Sequence, residues 1–288
     1  MKTFLKWTGI VLLGLIIVLL VAGFVVTNKG ASAKAEIHTV TATLLSDVPT
    51  DSATIARGAH LAKIHACADC HAENFSGQIF IDAPPFVTGA SNLTSGKGGV
   101  GGSFSVEDWD RAIRYGVRPD GSALMFMPSR TLHNLNDEDA AAMISYFQQL
   151  TPVDNEVPKT ELRTIGKVLA GTGALDVASE VHLASERKPV DEAAGQVAQG
   201  KYLASITCGY CHGESMRGGE PLEPGKPAPP DLVAAGAWPF DVFVKAMRTG
   251  ETPSNPEMDP TVMPWRAYSH MTDTELKSIQ AYLSTLAS

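Results

Sequence analysis

Cys67-Ala68-Asp69-Cys70-His71 and Cys208-Gly209-Tyr210-Cys211-His212 are two copies of one five-residue pattern, and the rest of the chain is arranged about them. Two cysteines three apart can add across the two vinyl groups of a haem. The histidine that follows is then held under the iron as its proximal ligand, so C-x-x-C-H reads as covalent haem c attachment. All four cysteines fall in these two stretches, which leaves none for a disulfide. The competing reading is a pair of thiol or zinc sites. A redox C-x-x-C belongs in a βαβ context, absent here, and zinc needs further Cys or His at ligand spacing. The pattern therefore predicts two covalently bound haem c groups (iron), attached through Cys67, Cys70 and His71, and through Cys208, Cys211 and His212.

Outward from the first motif, Ile55, Ala59, Ala62 and Ala66 form one helical stripe leading into it. A loop with Pro84, Pro85 and the glycine-rich run 96–102 follows. Ser105-Val106-Glu107-Asp108 then starts a helix carrying Trp109 and Ile113, with Gly116 placed to end it. Asn136-Asp137-Glu138-Asp139 caps a last helix with Met143, Ile144, Phe147 and Leu150 on its buried stripe. The pattern restarts after residue 192. Gly200-Lys201-Tyr202-Leu203 matches Gly58-Ala59-His60-Leu61, and Phe243 to Gly250 matches Trp109 to Gly116. Thr272-Asp273-Thr274-Glu275 is a capping box before Leu276, Ile279, Leu283 and Leu286. A repeat of about 140 residues means tandem globular domains, since solenoid repeats run 20–50. The expected domains are 51–152 and 193–288. Between them, 153–192 reads as a linker with a short helix near 160–170.

An electron-transfer iron needs a sixth ligand stable in both oxidation states, and a soft methionine thioether raises the potential. Met127-Pro128 and Met263-Pro264 precede the final helix of each repeat through the same kind of loop, which nominates Met127 and Met263 as metal ligands beside His71 and His212. Met125 competes in the first repeat and Met258, more weakly, in the second. Met143, Met247 and Met271 read as core filler. Of the eight histidines, His60 and His65 read as helix surface on the proximal side. His133 and His270 would be the partners in a bis-histidine alternative, but they do not align with each other. A proximal imidazole donates its other N–H to a carbonyl, and Pro230 and the matching Ser91 are placed to accept it.

The chain carries a formal charge of −8, or −11 once Lys2, Lys6 and Lys29 are set aside. That acidity argues against nucleic acid, repels anionic lipid head groups, and suits a partner with a basic patch. Between Lys6 and Lys29 lie 22 uncharged residues, Trp7 to Asn28, enough for the roughly 20 that a spanning helix needs. With two lysines before it, the positive-inside rule leaves the N-terminus in the cytoplasm and the haem domains outside. Residues 1–29 therefore read as a membrane anchor and 30–50 as a tether. The rival is a cleaved signal peptide ending near Ala31-Ser32-Ala33, but the apolar run is longer than a 7–15-residue h-region.

With these residues placed, the chain resembles class I cytochromes c in tandem. It looks more closely like the multi-haem cytochrome c subunits of membrane-bound bacterial alcohol and aldehyde dehydrogenases. The resemblance rests on Asn92-Leu93-Thr94, the Trp109–Gly116 helix ending in Arg-x-Gly, Asp120-Gly121, Met127-Pro128 and the Asn136–Asp139 cap, in that order. It covers nearly all of the first repeat and, more loosely, the second. Those subunits typically carry three haem sites where this chain has two. The resemblance implies an all-α fold of two tandem cytochrome c domains; the N-terminal transmembrane helix before them, read from the apolar run, is a second departure from those subunits. The lysines before that helix put the haem domains on the periplasmic face of a bacterial inner membrane, and the resemblance implies a role in the respiratory chain rather than an enzyme activity of its own. That role would be one-electron relay between a dehydrogenase or quinol-oxidising complex and a terminal acceptor such as an oxidase. The alternative is a di-haem peroxidase-type enzyme with one open iron, against which the paired Met-Pro loops argue.

Overall fold

The computed structural model describes residues 2–183, 194–221 and 225–287. In each repeat, the helix leading into the haem motif crosses the last helix of the repeat. In the first, α2 (Ser52–Ile64) crosses α6 (Asp137–Gln148). The Asp51 carboxylate caps α2 and the Asn136 side chain caps α6, each satisfying helix N–H groups that have no partner within the helix. The crossing is at Gly58, where a Cβ would overlap the carbonyl of Ala142. In the second repeat α8 (Gln196–Thr207) crosses α12 (Asp273–Thr285), which opens on the predicted Thr272–Glu275 capping box. There the aligned Gly200 faces the carbonyl of Ser278 just as closely.

The motifs form single turns, α3 (Cys67–His71) and α9 (Gly209–His212). The middle helices are α4 (Val106–Tyr115) and α10 (Phe240–Thr249), ended by Gly116 and Gly250 as expected. Short turns α5 (Ser129–Leu132) and α11 (Trp265–Tyr268) follow each Met-Pro pair. One apolar cluster runs through both repeats.

The all-α expectation misses a small antiparallel sheet. Strand β1 (Gln78–Ala83) pairs with β2 (Phe86–Ala90) across Pro84-Pro85, and β3 (Glu161–Leu162) pairs with β2. The two prolines read as a loop, yet Gln78–Ile81 and Phe86–Thr88 are rich in the β-branched and aromatic residues that suit a strand.

The stretch read as tether and the described part of the stretch read as linker both lie on the first domain. Helix α1 (Lys2–Lys34) runs five residues past Lys29. Beyond it, Ile37 bridges to Ser122 and the Leu45 amide donates to Asp110 at 2.9 Å. The Val153 carbonyl accepts from the side chains of Asn92 (2.8 Å) and Thr94 (3.1 Å). Helix α7 (Thr164–Thr172) packs antiparallel to the end of α1, Gly30 meeting the Lys167 backbone and Gly171 that of Val26. The expected boundary at 192/193 lies outside the described residues.

The two repeats dock through reciprocal pairs. His60 Nε2 lies 2.9 Å from Glu275, while Tyr202, at the position aligned with His60, donates to Asp139 at 2.9 Å. Asp139 and Glu275 are the N3 residues of the two last helices, so each repeat reaches for the same cap of the other. Arg57 donates two bonds to Asp139, both 2.8 Å, and reaches Glu275 at 3.4 Å. His60 and His65, expected on the helix surface, thus lie at this interface, and burial lowers the His65 pKa to about 4.

Burial alone would raise the Glu275 carboxyl pKa, but the His60 hydrogen bond and the Thr272 N–H bring it down to about 2. A depressed carboxyl contributes stability above its ordinary value of 4.5 and loses it as pH falls towards its folded value. Acidification from pH 5 to about 2 is therefore expected to loosen the docking. Hydrogen exchange across residues 57–60 should rise in that window, and Glu275→Gln should flatten the dependence. An unchanged profile in that variant would remove Glu275 as the titrating group.

Candidate haem-binding sites

Each motif is held by the same local geometry. The residue after the histidine has positive φ in both copies, Ala72 at 66° and Gly213 at 72°. The first copy thus places an alanine where glycine is at ease, a cost on the order of 1 kcal/mol. Four residues past each histidine, Phe75 and Met216 both stand at φ 59°.

His71 Nδ1–H donates to the Ser91 carbonyl at 2.7 Å, and His212 Nδ1–H to the Pro230 carbonyl at 2.8 Å. These are the acceptors the sequence predicts. With Nδ1 committed, Nε2 is the nitrogen left to bind a metal, and its basicity is raised by the bond on the other side. Burial lowers the pKa of both imidazoles, partly offset by those carbonyls, so the rings are neutral at neutral pH.

The cysteines are free, and burial pushes Cys67 up to about 12 and Cys70 and Cys208 to about 11. A redox dithiol needs a low-pKa thiolate, and burial moves these thiols the other way. Among the described residues no group of three or more His, Cys, Asp or Glu is arranged to hold a metal ion, which also weighs against zinc. A haem fits on a separate observation. The buried indole N–H of Trp109 has no protein partner, and it sits in an aromatic wall with Phe104 and Phe147, its ring centroid 5.4 and 5.5 Å from theirs. A flat apolar macrocycle edged with carboxylates suits both the wall and the donor. Trp109 had been legible only as a core residue.

The two Met-Pro turns are nearly superposable. Pro128 has φ −75° and ψ 51°, and Pro264 has φ −76° and ψ 54°. The amide two residues past each methionine donates to that methionine's carbonyl at 2.7 Å. Met127 and Met263 pack on the cluster that also holds Cys67, Ala68 and Cys208. Met125 points away, buried in a separate cluster with Leu162, Ala170 and Val177. Met258 is partly exposed, its carbonyl accepting the Trp265 indole N–H at 3.0 Å. Met143, Met247 and Met271 are buried core residues as expected. His133 is occupied by the Arg114 carbonyl at 3.1 Å and by stacking on His182, while His270 is exposed.

What sequence reasoning missed is how the two loops are held. The arginine of each Arg-x-Gly reaches over the Met loop to the final helix: Arg114 to Asp137 at 2.6 Å, and Arg248 to Asp273 at 3.1 Å. Arg114 also pairs with Asp110, both fully buried. The repeat carried the signal, since these arginines and aspartates align.

Each Met-Pro turn then packs on the other repeat. α5 lies against α8 and α9, and α11 against α2. Arg130, three residues past Met127, stacks over the Tyr210 ring at 5.2 Å. The buried Glu180 accepts from the Arg130 amide at 3.0 Å and from the Tyr210 hydroxyl at 3.2 Å. Reciprocally, burial raises the Asp69 pKa and Arg266, three residues past Met263, offsets part of that rise. Asp69 and Tyr210 occupy the same position of C-x-x-C-H.

Residues 55–151 match the family model of cytochrome c, and residues 195–283 that of cytochrome c oxidase, cbb3-type, subunit III. The fructose dehydrogenase cytochrome subunit of Gluconobacter japonicus is 31% identical over 171 residues, 55% of this chain and 34% of that protein. The gluconate 2-dehydrogenase cytochrome c subunit of Pantoea cypripedii is 26% identical over 280 residues, 84% of this chain and 62% of its own length. The alcohol dehydrogenase (quinone) cytochrome c subunit of Gluconacetobacter polyoxogenes is 25% identical over 278 residues, with shares of 85% and 58%. The chain thus spans between 34% and 62% of the length of these relatives.

Proposed function

Since residues 55–151 and 195–283 are two cytochrome c domains in tandem, we propose that the chain is a membrane-anchored carrier. It holds two covalent haem c groups and relays single electrons from a dehydrogenase or quinol-oxidising partner to a terminal acceptor. The observation that carries this reading is the packing of each Met-Pro turn against the other domain, α5 on α8 and the C-x-x-C-H turn α9, and α11 on α2, the helix that leads into the first motif. It makes the two sites neighbours inside one protein, with Arg130, Tyr210 and Glu180 on one side and Arg266 and Asp69 on the other.

Haem iron bound there supplies reversible one-electron exchange. The chain's own residues do the rest. Cys67, Cys70, Cys208 and Cys211 attach the groups. His71 and His212 are oriented by Ser91 and Pro230 to present Nε2. Met127 and Met263 would hold the iron as soft ligands, which would favour the ferrous state. Helix capping in both domains, with the buried Arg114–Asp110 pair in the first and the Arg248–Asp273 pair in the second, would keep the ligand sets in place through oxidation and reduction.

α1 is long and apolar enough to span a bilayer, with Phe4 to Val25 exposed, a property that a signal sequence shares. One observation favours the retained anchor over a cleaved signal. The Ala31–Ala33 stretch lies inside α1, where Gly30 and Ala33 contact α7 and its cluster, so cleavage there would remove a packed helix end. The dehydrogenase partner is supported by the names of the relatives.

The test is a redox titration followed in the visible spectrum, including the weak band of Met–Fe(III) ligation. Two low-spin centres with that band are expected. Met127→Leu should make one centre high-spin, whereas Met125→Leu, a volume-conserving change costing less than about 1.5 kcal/mol, should leave both spectra intact. A high-spin centre in the unmodified protein, with peroxide turnover, would reverse the choice in favour of the peroxidase reading.

A further inference from the structure

Where α1 passes α7 and β3, the structure leaves an open cleft of about 300 Å³, lined by Ala31, Lys34, Thr160, Glu161, Leu162 and Lys167. Its height along α1 can be set against the bilayer. Asn28 ends the uncharged run. At 1.5 Å per residue, Ala31 stands about 4.5 Å and Lys34 about 9 Å beyond it. The polar layer adds roughly 5–7 Å to each side of the hydrocarbon. Ala31 is level with the head groups, and Lys34 stands about 2 Å above them, within reach of its own long side chain.

Its charge runs against that of the chain. Two ammonium groups, Lys34 and Lys167, face one exposed carboxylate, Glu161. Neither lysine has an ion-pair partner among the described residues. Arg118 and Asp120 lie behind Lys34, with Asp120 engaged by Ser122 at 2.6 Å. A second feature points the same way. On α7, beside Lys167, Ile165 and Val168 are 52% and 36% exposed. α7 runs antiparallel to α1, so with Gly30 against Lys167 and Gly171 against Val26, Val168 lies on the apolar-run side of Lys167 and Ile165 on the far side. An exposed valine just below an unpaired lysine matches the two layers of a membrane surface, acyl boundary below and phosphate above.

We propose that the cleft between α1 and α7 binds the phosphate of an anionic phospholipid through Lys34 and Lys167, with Val168 towards the acyl boundary. The inference rests on the reading of α1 as a membrane anchor. The lipid seats the first domain on the membrane, a local exception to the repulsion that the acidic chain otherwise exerts on anionic head groups.

The full chain is incorporated into phosphatidylcholine nanodiscs with and without phosphatidylglycerol, re-extracted, and weighed by native mass spectrometry. The wild type should retain phosphatidylglycerol. K34Q/K167Q should lose it by about 30-fold, the effect of two cations at a membrane surface, with its haem spectrum unchanged, and K34R/K167R should keep it. Equal retention by wild type and K34Q/K167Q would overturn the site while leaving the anchor untouched. Displacement by excess inorganic phosphate would assign the cleft to a soluble anion and overturn the lipid. Release of the wild type from membranes by alkaline carbonate would sink the anchor reading first and the site with it.

Discussion

Replacing Met263 by histidine is expected to keep the second haem low-spin while lowering its potential on the order of 0.2 V, part of the roughly 0.8 V that axial ligands span. At 59 mV per factor of ten, this is about a thousandfold change in the ferrous-to-ferric ratio at fixed poise. The direction follows from softness: a thioether favours Fe(II), and imidazole removes that preference. Met127→His should do the same to the first haem. Because each Met-Pro turn packs on the other domain, the variants should also slow transfer between the haems, as the altered centre becomes a poor acceptor. Potentiometric titration of each variant reads the first effect, and flash-induced transfer the second. If neither potential moves, Met127 and Met263 are not the ligands.

Valine at Gly58 or Gly200 should be the most destabilising single change in its domain. A Cβ at either position overlaps a backbone carbonyl, that of Ala142 or Ser278, and no rotamer can relieve a clash with main chain. The crossing helices must separate, which strips contacts from Leu61, Ile64 and Ile144 in one domain and from Leu203, Ile206 and Ile279 in the other, all at most 1% exposed. Overpacking of a tight core costs 1–3 kcal/mol and occasionally more; here a loss of roughly 3 kcal/mol or more is expected. Denaturant unfolding followed at the haem band measures it. A change below about 1 kcal/mol would mean that the crossings are looser than described.

What the sequence made legible is what depends on near neighbours. The haem motifs, the capping residues Ser105, Asn136 and Thr272, the helix ends at Gly116 and Gly250, and the carbonyls of Ser91 and Pro230 each follow from a few adjacent residues, and the repeat doubled every signal. The strands β1 and β2 were hidden because Pro84-Pro85 punctuates the chain like a loop, while pairing depends on residues across the turn. The docking pairs were hidden for another reason. His60 and Glu275 are 215 positions apart, and nothing local distinguishes a surface histidine from one that meets a carboxylate of another domain. Alignment of His60 with Tyr202, and of Asp139 with Glu275, held the clue, because reciprocal contacts need matched positions.

The packing of α1 on α7 decides how far the haem domains can travel. Were residues 30–50 a free coil, their root-mean-square span would be about 25 Å, and the domains could swing between donor and acceptor like a bucket on a rope. Instead α1 continues to Lys34, locks to α7 through Gly30 and Gly171, and hands the chain to Ile37 and Leu45 on the first domain. With α1 in the bilayer, the protein stands as a fixed post. For the proposed carrier, donor and acceptor would have to come to set faces at a set height, and throughput would be governed by their arrival rather than by its own excursion.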